Sequence, residues 1–429
     1  MWHLRNNAES FTKNFHKQHE DTMFTAGELL PDEELLARRA RCRQLLAERV
    51  PEAGGLMLFS RLNIYYLTGT LANGLLWLPM EGEPLLLVRK GLERCRLESP
   101  RTRTVLFRSY SDIAGLCEKA ASPLSSAVAA EMSALPWSLS TMLQARLPGI
   151  RFVSDEQILL TLRSVKSPWE LAKMRICGER HHTCLYEILP GRLRPGMNES
   201  EISHLVWQIF FEQGHCGMLR MGNHGEEVFL GHVAAGENGN YPSHYNGPLG
   251  LKGEHPAVPF MGHGRSVWRK HEVLMLDVAF AFEGYNTDRT QMYWSGALSS
   301  VPDVVRRAYD LCLEIQERAA CFLLPGALPS AIWKEVYGYV QSTEFAEGFM
   351  GLGDNKVHFL GHGIGLVIDE QPVLAHRFDE PLQEGMTLAI EPKIGLPGIG
   401  MVGVENTFEV TPDGGACITG KRFDMLCLI

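Results

Sequence analysis

Apolar positions change their period several times along the 429 residues. Between 31 and 50, Leu35, Leu36, Ala40, Leu45, Leu46 and Val50 recur among charged residues at helical spacing, which predicts one amphipathic helix. Four short apolar runs follow at 56–59, 64–67, 75–78 and 85–88, the last two separated by the turn candidate Glu81-Gly82-Glu83, and such runs read as strands. Helical patterns near 111–120 and 137–146 then alternate with strand-like pieces at 105–107, 127–130 and 151–153. Alternation of this kind predicts an α/β domain over residues 30–155. That stretch holds no cluster of acids, bases or metal ligands.

A second domain is expected over 156–429. Ser167 can cap a helix, Pro168 suits its first position, and Glu170 completes a capping box, with the helix running to about 189. Asn198 and Glu201 repeat the capping signal for a helix to about 213. Ser300 and Pro302 open a further helix to about 322, Leu324-Pro325-Gly326 ends it, and another covers 329–342. Each helix pair is followed by strands, so an α+β domain with internal pseudo-twofold symmetry is the economical expectation.

Two of the strand stretches carry paired acids. Residues 274–291 read as a hairpin with Asp277 and Asp288 on its arms and Glu283-Gly284 at its turn. The midpoint of the two acids falls at the Phe282/Glu283 junction, which predicts carboxylates nearly opposite each other. Arg289 would point to the other face of a regular strand, so their mutual repulsion calls for a cation. At 386–408, Glu391 and Glu405 lie symmetrically about Gly398 in a Gly/Pro-rich turn, a second acid-bearing hairpin. Between the two lies Gly361-His362-Gly363-Ile364-Gly365-Leu366, with one imidazole. Alone, Asp277 or Glu405 would more often be a solvated acid, and His362 a hydrogen-bonded core histidine. The apolar neighbours of Asp277 and Glu391 change that, because an unpaired carboxylate is costly to bury. Four oxygen donors and one nitrogen are the ingredients of a two-metal site. They suit hard divalent ions such as Mn, Fe(II) or Co, with Zn also admissible.

Composition narrows the function class. A net charge of −9, with no block of Lys and Arg, excludes a nucleic-acid partner. Ten cysteines without a repeated spacing predict reduced thiols and a cytoplasmic location. No apolar run approaches the ~18 residues of a membrane span. The first 22 residues are too polar for a signal peptide; residues 1–29 read as a disordered extension, with Met23 as an alternative start. His181-His182-Thr183-Cys184 and His215-Cys216 lack a zinc spacing, so structural or surface roles are expected for them.

The order and separation of Asp277, Asp288, His362, Glu391 and Glu405 resemble the five ligands of the pita-bread metallopeptidases, a group that includes methionine aminopeptidase, aminopeptidase P, prolidase and the non-peptidase creatinase. Further matches are the stretch from Arg163 to Glu170, Gly284-Tyr285 before Asp288-Arg289-Thr290, Glu370 with Pro372, and Glu391-Pro392. Asn63-Ile64-Tyr65-Tyr66-Leu67-Thr68-Gly69 resembles the creatinase-type N-terminal domain. The resemblance implies a dinuclear hydrolase in which Asp277 binds one metal, Asp288 and Glu405 bridge both, and His362 and Glu391 complete the other. Two such cations can hold a hydroxide between them for attack on a peptide carbonyl. By the same resemblance Glu391 is the general acid/base, His244 and His358 are outer histidines facing substrate, and the protein is a homodimer acting on Xaa-Pro peptides.

This chain also departs from the pattern. Asp369 stands where the peptidases usually have a histidine, Gly403 stands where an arginine is common, and residues 246–269 form a long Gly/Pro-rich connection that suggests a lid or pocket wall. Asp369 could face a cationic part of a substrate or hydrogen-bond the loop backbone. A same-fold enzyme on a small non-peptide molecule, as a creatinase-like C–N hydrolase or a sulfonium C–S lyase, is the alternative. A non-catalytic binding protein is a third.

Overall fold

The computed structural model describes residues 24–222 and 226–429. The polar extension and the alternative start at Met23 fall, up to residue 23, outside these. The chain divides into two compact units between Leu162 and Arg163.

The N-terminal unit is built on a six-stranded sheet in the order β4-β3-β2-β1-β5-β6. Its strands are β1 (Gly55–Leu58), β2 (Asn73–Pro79), β3 (Leu85–Lys90), β4 (Arg103–Leu106), β5 (Ala127–Ala130) and β6 (Arg151–Ser154). The central strands are continuous apolar runs because both faces are covered, and Met57, Trp77, Leu87 and Val128 join one core. The amphipathic pattern at 31–50 is the helix Asp32–Arg49, with Asp32, Glu33 and Glu34 in its first turn and Arg49 in its last, as the helix dipole favours. The run at 64–67 is not a strand. It lies in the helix Arg61–Thr68, which starts where the Ser60 hydroxyl accepts the Asn63 amide and stops at Gly69, whose φ is 88°.

The C-terminal unit repeats a helix pair followed by a sheet. The helix Pro168–His182 opens with the expected capping box between Ser167 and Glu170, and continues through a wider turn at Thr183–Ile188. Asn198 caps the helix Glu199–Glu212 in the same way. A four-stranded sheet follows, in the order β17-β9-β8-β7, from β7 (Gly231–Ala235), β8 (Val273–Phe282), β9 (Tyr285–Ser295) and β17 (Leu426–Leu428). The second pair, Asp303–Cys321 and Pro329–Gln341, precedes a five-stranded sheet in the order β11-β10-β12-β15-β16. Its strands are β10 (Phe359–Gly363), β11 (Glu370–Ala375), β12 (Thr387–Ile390), β15 (Asn406–Thr411) and β16 (Gly414–Cys417). Between β12 and β15 the chain makes a smaller ladder, β13 (Lys393–Leu396) with β14 (Gly400–Gly403).

The two sheets meet where Thr290 of β9 bridges to Glu405 and where Thr407 of β15 exchanges hydrogen bonds with the Asp288 backbone. The stretch from Arg163 to Glu170 braces the same region. Glu370 takes ion pairs from Arg163 at 3.3 Å and Lys166 at 3.1 Å, and the Tyr285 hydroxyl donates to Glu170 at 2.9 Å.

Candidate metal centre

Asp277 and Asp288 belong to β8 and β9, which are joined by Glu283-Gly284. Both turn residues have positive φ, 49° and 87°, the geometry that suits a two-residue hairpin. Phe282 pairs with Tyr285, so Asp277 stands opposite Thr290, and Asp288 opposite Ala279. The expected opposition of the two acids is therefore corrected to a diagonal one, because the turn is centred one residue beyond their midpoint. A two-residue offset keeps both on one face, so they still converge. Arg289 points to the other face, as expected, where it donates to Asn406 Oδ1 at 3.2 Å and Gln291 Oε1 at 3.0 Å.

The second hairpin keeps one register throughout. Ile390 lies opposite Asn406 and Lys393 opposite Gly403, which puts Glu391 and Glu405 opposite each other between the two ladders. His362 enters from β10, opposite Ala389 of β12. Its Nδ1 lies 3.0 Å from the Gly363 carbonyl, so Nδ1–H donates there and Nε2 keeps the lone pair a metal would use. Nε2 is 3.8 Å from Glu391 Oε1.

The five candidate ligands gather in two overlapping groups. Asp288, His362 and Glu405 form one, and Asp277, Glu391 and Glu405 the other; within each, the ligand atoms lie within 4.8 Å of one another. Burial raises the Asp288 carboxyl pKa, and the charge of Asp277 adds to that. Burial, then Asp288, pushes Glu405 well above the carboxylate range. Glu391 is also raised, burial outweighing the pull of Lys393 and His362. A cluster that resists ionisation this strongly is a cluster suited to a bound cation. The mixed N/O donor set of the first group fits a divalent transition metal.

Lys393 had no part in the expectations, yet it sits inside the second group. It is fully buried, with Nζ 2.9 Å from Glu391 Oε2, 2.9 Å from Glu405 Oε2 and 3.2 Å from Asp277 Oδ2. Burial alone would raise the Asp277 pKa, but Lys393 and then His232 outweigh it and the net direction is down. The signal was available in the sequence, because Lys393 is two residues from Glu391 and alternate strand residues share a face. His232 was missed as well. It lies opposite Asp277 on β7, and burial lowers its imidazole pKa to about 4.

The outer candidates are placed less directly. The His244 ring lies 4.4 Å from that of Tyr245, which in turn is 5.0 Å from the ring of His232, the neighbour of Asp277 on β7. His358 lines a cavity of about 330 Å³ with Trp333, Tyr337, Phe349 and Lys356, a cavity whose lining includes none of the five ligands. Asp369 accepts the Gly222 amide through Oδ1. Residues 246–269 contain no helix or ladder strand; Met261 exchanges backbone hydrogen bonds with Gly231 and Val233 at the free edge of β7.

Known proteins share this fold. The model of metallopeptidase family M24 matches residues 172–412, and that of the creatinase/prolidase N-terminal domain matches 38–165. A putative dipeptidase of Bacillus subtilis, YkvY, is 26% identical over 399 residues, covering 90% of this chain and 99% of its own. The solved Xaa-Pro dipeptidase of Bacillus anthracis superposes with a TM-score of 0.76 at 20% identity, over 92% of this chain and all of that one. Dipeptidase PepE of Mycobacterium ulcerans gives 0.75 at 21%, over 94% and 100%. These likenesses extend the expected two-domain, pita-bread architecture over nearly the whole chain. With its acid-bearing hairpins in the matched segment and a creatinase/prolidase-type domain ahead of them, the chain belongs to metallopeptidase family M24.

Proposed function

We propose that this chain is a metal-dependent hydrolase of small peptides, of the Xaa-Pro dipeptidase or aminopeptidase type. The observation that carries this reading is the convergence of four carboxylates and one imidazole nitrogen in two overlapping ligand groups. The peptide class is suggested by relatives named as a putative dipeptidase and as Xaa-Pro dipeptidases. Asp288, His362 and Glu405 would hold a divalent cation, which would supply Lewis acidity toward a carbonyl oxygen and acidify water. Asp277, Glu391 and Glu405 frame a second cation position, on which the expectation of two divalent ions (Mn, Co, Fe or Zn) rests.

Glu391 is the general acid/base in this reading. One of its oxygens lies near His362 and the other on Lys393, and burial favours its protonated form, so it can pass a proton to a leaving amine. His244 and His358 remain candidates for outer substrate contacts. Asp369 is assigned to holding the loop after His362, on the strength of its bond to the Gly222 amide. All ten cysteines are free thiols, which supports the cytoplasmic assignment, and no helix among the described residues is long and apolar enough to cross a membrane. The homodimer is carried over from the family resemblance alone.

Metal-stripped protein reloaded with Mn, Co, Zn or Fe(II) should hydrolyse dipeptides in a metal-dependent way, with Xaa-Pro substrates among the best. Cleavage confined to guanidino or sulfonium compounds would move the protein to the non-peptide class. Metal binding with no turnover on any of these would leave a binding protein.

A further inference from the structure

The second ligand group is already furnished with a positive charge. The Lys393 ammonium donates to Glu391 Oε2 and Glu405 Oε2 and forms an ion pair with Asp277 Oδ2 at 3.2 Å, so it touches all three members of that group. We propose that the Lys393 ammonium is the resident second cation of this centre, so that the chain binds one divalent ion, at Asp288, His362 and Glu405, where five ligands alone would suggest two. The proposal rests on the metal-dependent reading above and specifies how its two cation positions are filled.

Three further observations support it. A metal coordinated by the same three oxygens, at the usual ~2.0–2.2 Å, would lie within a few ångströms of a buried like charge, with little solvent to screen the repulsion. The Lys393 side chain is wholly buried and its strand is paired in the β13–β14 ladder, which fixes the backbone that aims it at the three carboxylates. Its partner in that ladder is Gly403, the position where the family resemblance leads one to expect arginine. A Cβ on Gly403 would come within 2.7 Å of Lys393 Cα and 2.9 Å of its Cγ, so the bare backbone of β14 makes the room that the lysine side chain fills. The first group, in contrast, holds the one nitrogen ligand, His362 Nε2, and meets Lys393 only through Glu405 Oε2. That oxygen also accepts from Thr290 at 2.9 Å, which leaves Oε1 of Glu405 to serve the metal.

Titration of the metal-free full-length protein with Mn2+ tests this, with bound metal counted after dialysis and the ion's environment read by electron paramagnetic resonance. Wild type should take up one equivalent per chain and give the spectrum of an isolated Mn2+. Lys393→Gly should take up two equivalents and give the spectrum of an exchange-coupled pair. Two tightly bound equivalents with coupling in wild type would overturn the proposal while leaving the metal-dependent reading intact, and that measurement needs no variant to fold. A Lys393→Gly protein that keeps its circular-dichroism spectrum and still binds only one equivalent would also overturn it. No bound Mn2+ in wild type would remove the metal-dependent reading and this proposal together.

Discussion

In the β8–β9 hairpin the two acids come from strands joined by a two-residue turn, and the hairpin's own basic side chain, Arg289, is spent on the opposite face. In the β12–β15 hairpin the acids flank a longer excursion, and that excursion returns a lysine between them. The first hairpin therefore presents paired carboxylates that depend on a cation from outside, whereas the second brings its own. Position within the first hairpin also matters: Asp277 leans toward Lys393, and Asp288 toward His362. Two equal-looking acids thus belong to unequal halves of the centre.

The largest test of this asymmetry removes one acid at a time. Asp288→Ala or Glu405→Ala should lose bound metal and all measurable turnover with the fold retained, while Asp277→Ala, whose carboxylate faces the lysine, should keep its metal. Metal content beside the thermal melt checks this, and full activity in Asp288→Ala or Glu405→Ala would break the assignment. Glu391→Gln comes next. It should still bind metal, less tightly, while kcat falls by roughly two to four orders of magnitude, as for loss of a general acid/base. An unchanged rate at saturating metal would place the proton transfer elsewhere.

Most of this was legible from the residues, and the omissions have physical causes. Capping boxes at Ser167 and Asn198 located two helices, because a cap is a local contact written in four consecutive residues. The symmetry of Glu391 and Glu405 about Gly398 gave their register correctly, since one continuous ladder fixes it. The register at Asp277 was off by the turn's position, which depends on where two residues accept positive φ. The run at 64–67 was misassigned because four apolar residues carry no period, and the Ser60 cap and Gly69 stop decide it. Lys393 was passed over although the alternation that turns Arg289 away also turns Lys393 inward. Burial and the approach of Asp277 from another sheet, which make that lysine matter, are tertiary facts.

The glycines of the two hairpins offer a smaller contrast. At Gly284, with φ of 87°, an added Cβ meets nothing closer than Leu366 at 3.7 Å, so the cost of Gly284→Ala is backbone strain, about 1–2 kcal/mol. At Gly403 the Cβ collides with backbone, 2.4 Å from the Pro392 carbonyl oxygen and 2.7 Å from Lys393 Cα. Gly403→Ala should therefore cost about 3 kcal/mol, in the upper part of the overpacking range, and should also displace Lys393. Chemical denaturation of both variants, with Mn2+ stoichiometry as the second readout, ranks them. An equal cost with unchanged metal binding would mean that Gly403 does not hold the lysine's place.

The smallest expected effect concerns what backs the first hairpin. The histidines at 181 and 215, whose spacing suggested no metal site, are buried behind it: His215 Nδ1 accepts the Ala281 amide of β8 at 2.9 Å, and His181 Nδ1 lies 3.1 Å from the Thr287 hydroxyl of β9. Accepting an amide requires an unprotonated Nδ1, and burial lowers the His215 pKa to about 4; His181 is lowered too, first by burial and then by Arg289. An unfolded imidazole titrates near ~6.5. Between the two values the unfolded chain binds the extra proton, so stability rises with pH across this window and is lost as the pH falls from about 6.5 toward 4. His215→Asn keeps an acceptor for Ala281 but cannot titrate. Its unfolding free energy, measured on metal-free protein, should depend less steeply on pH there, by up to ~1.4 kcal/mol per pH unit, with activity at pH 7 unchanged. An identical slope in both proteins would show that His215 is not held neutral behind β8.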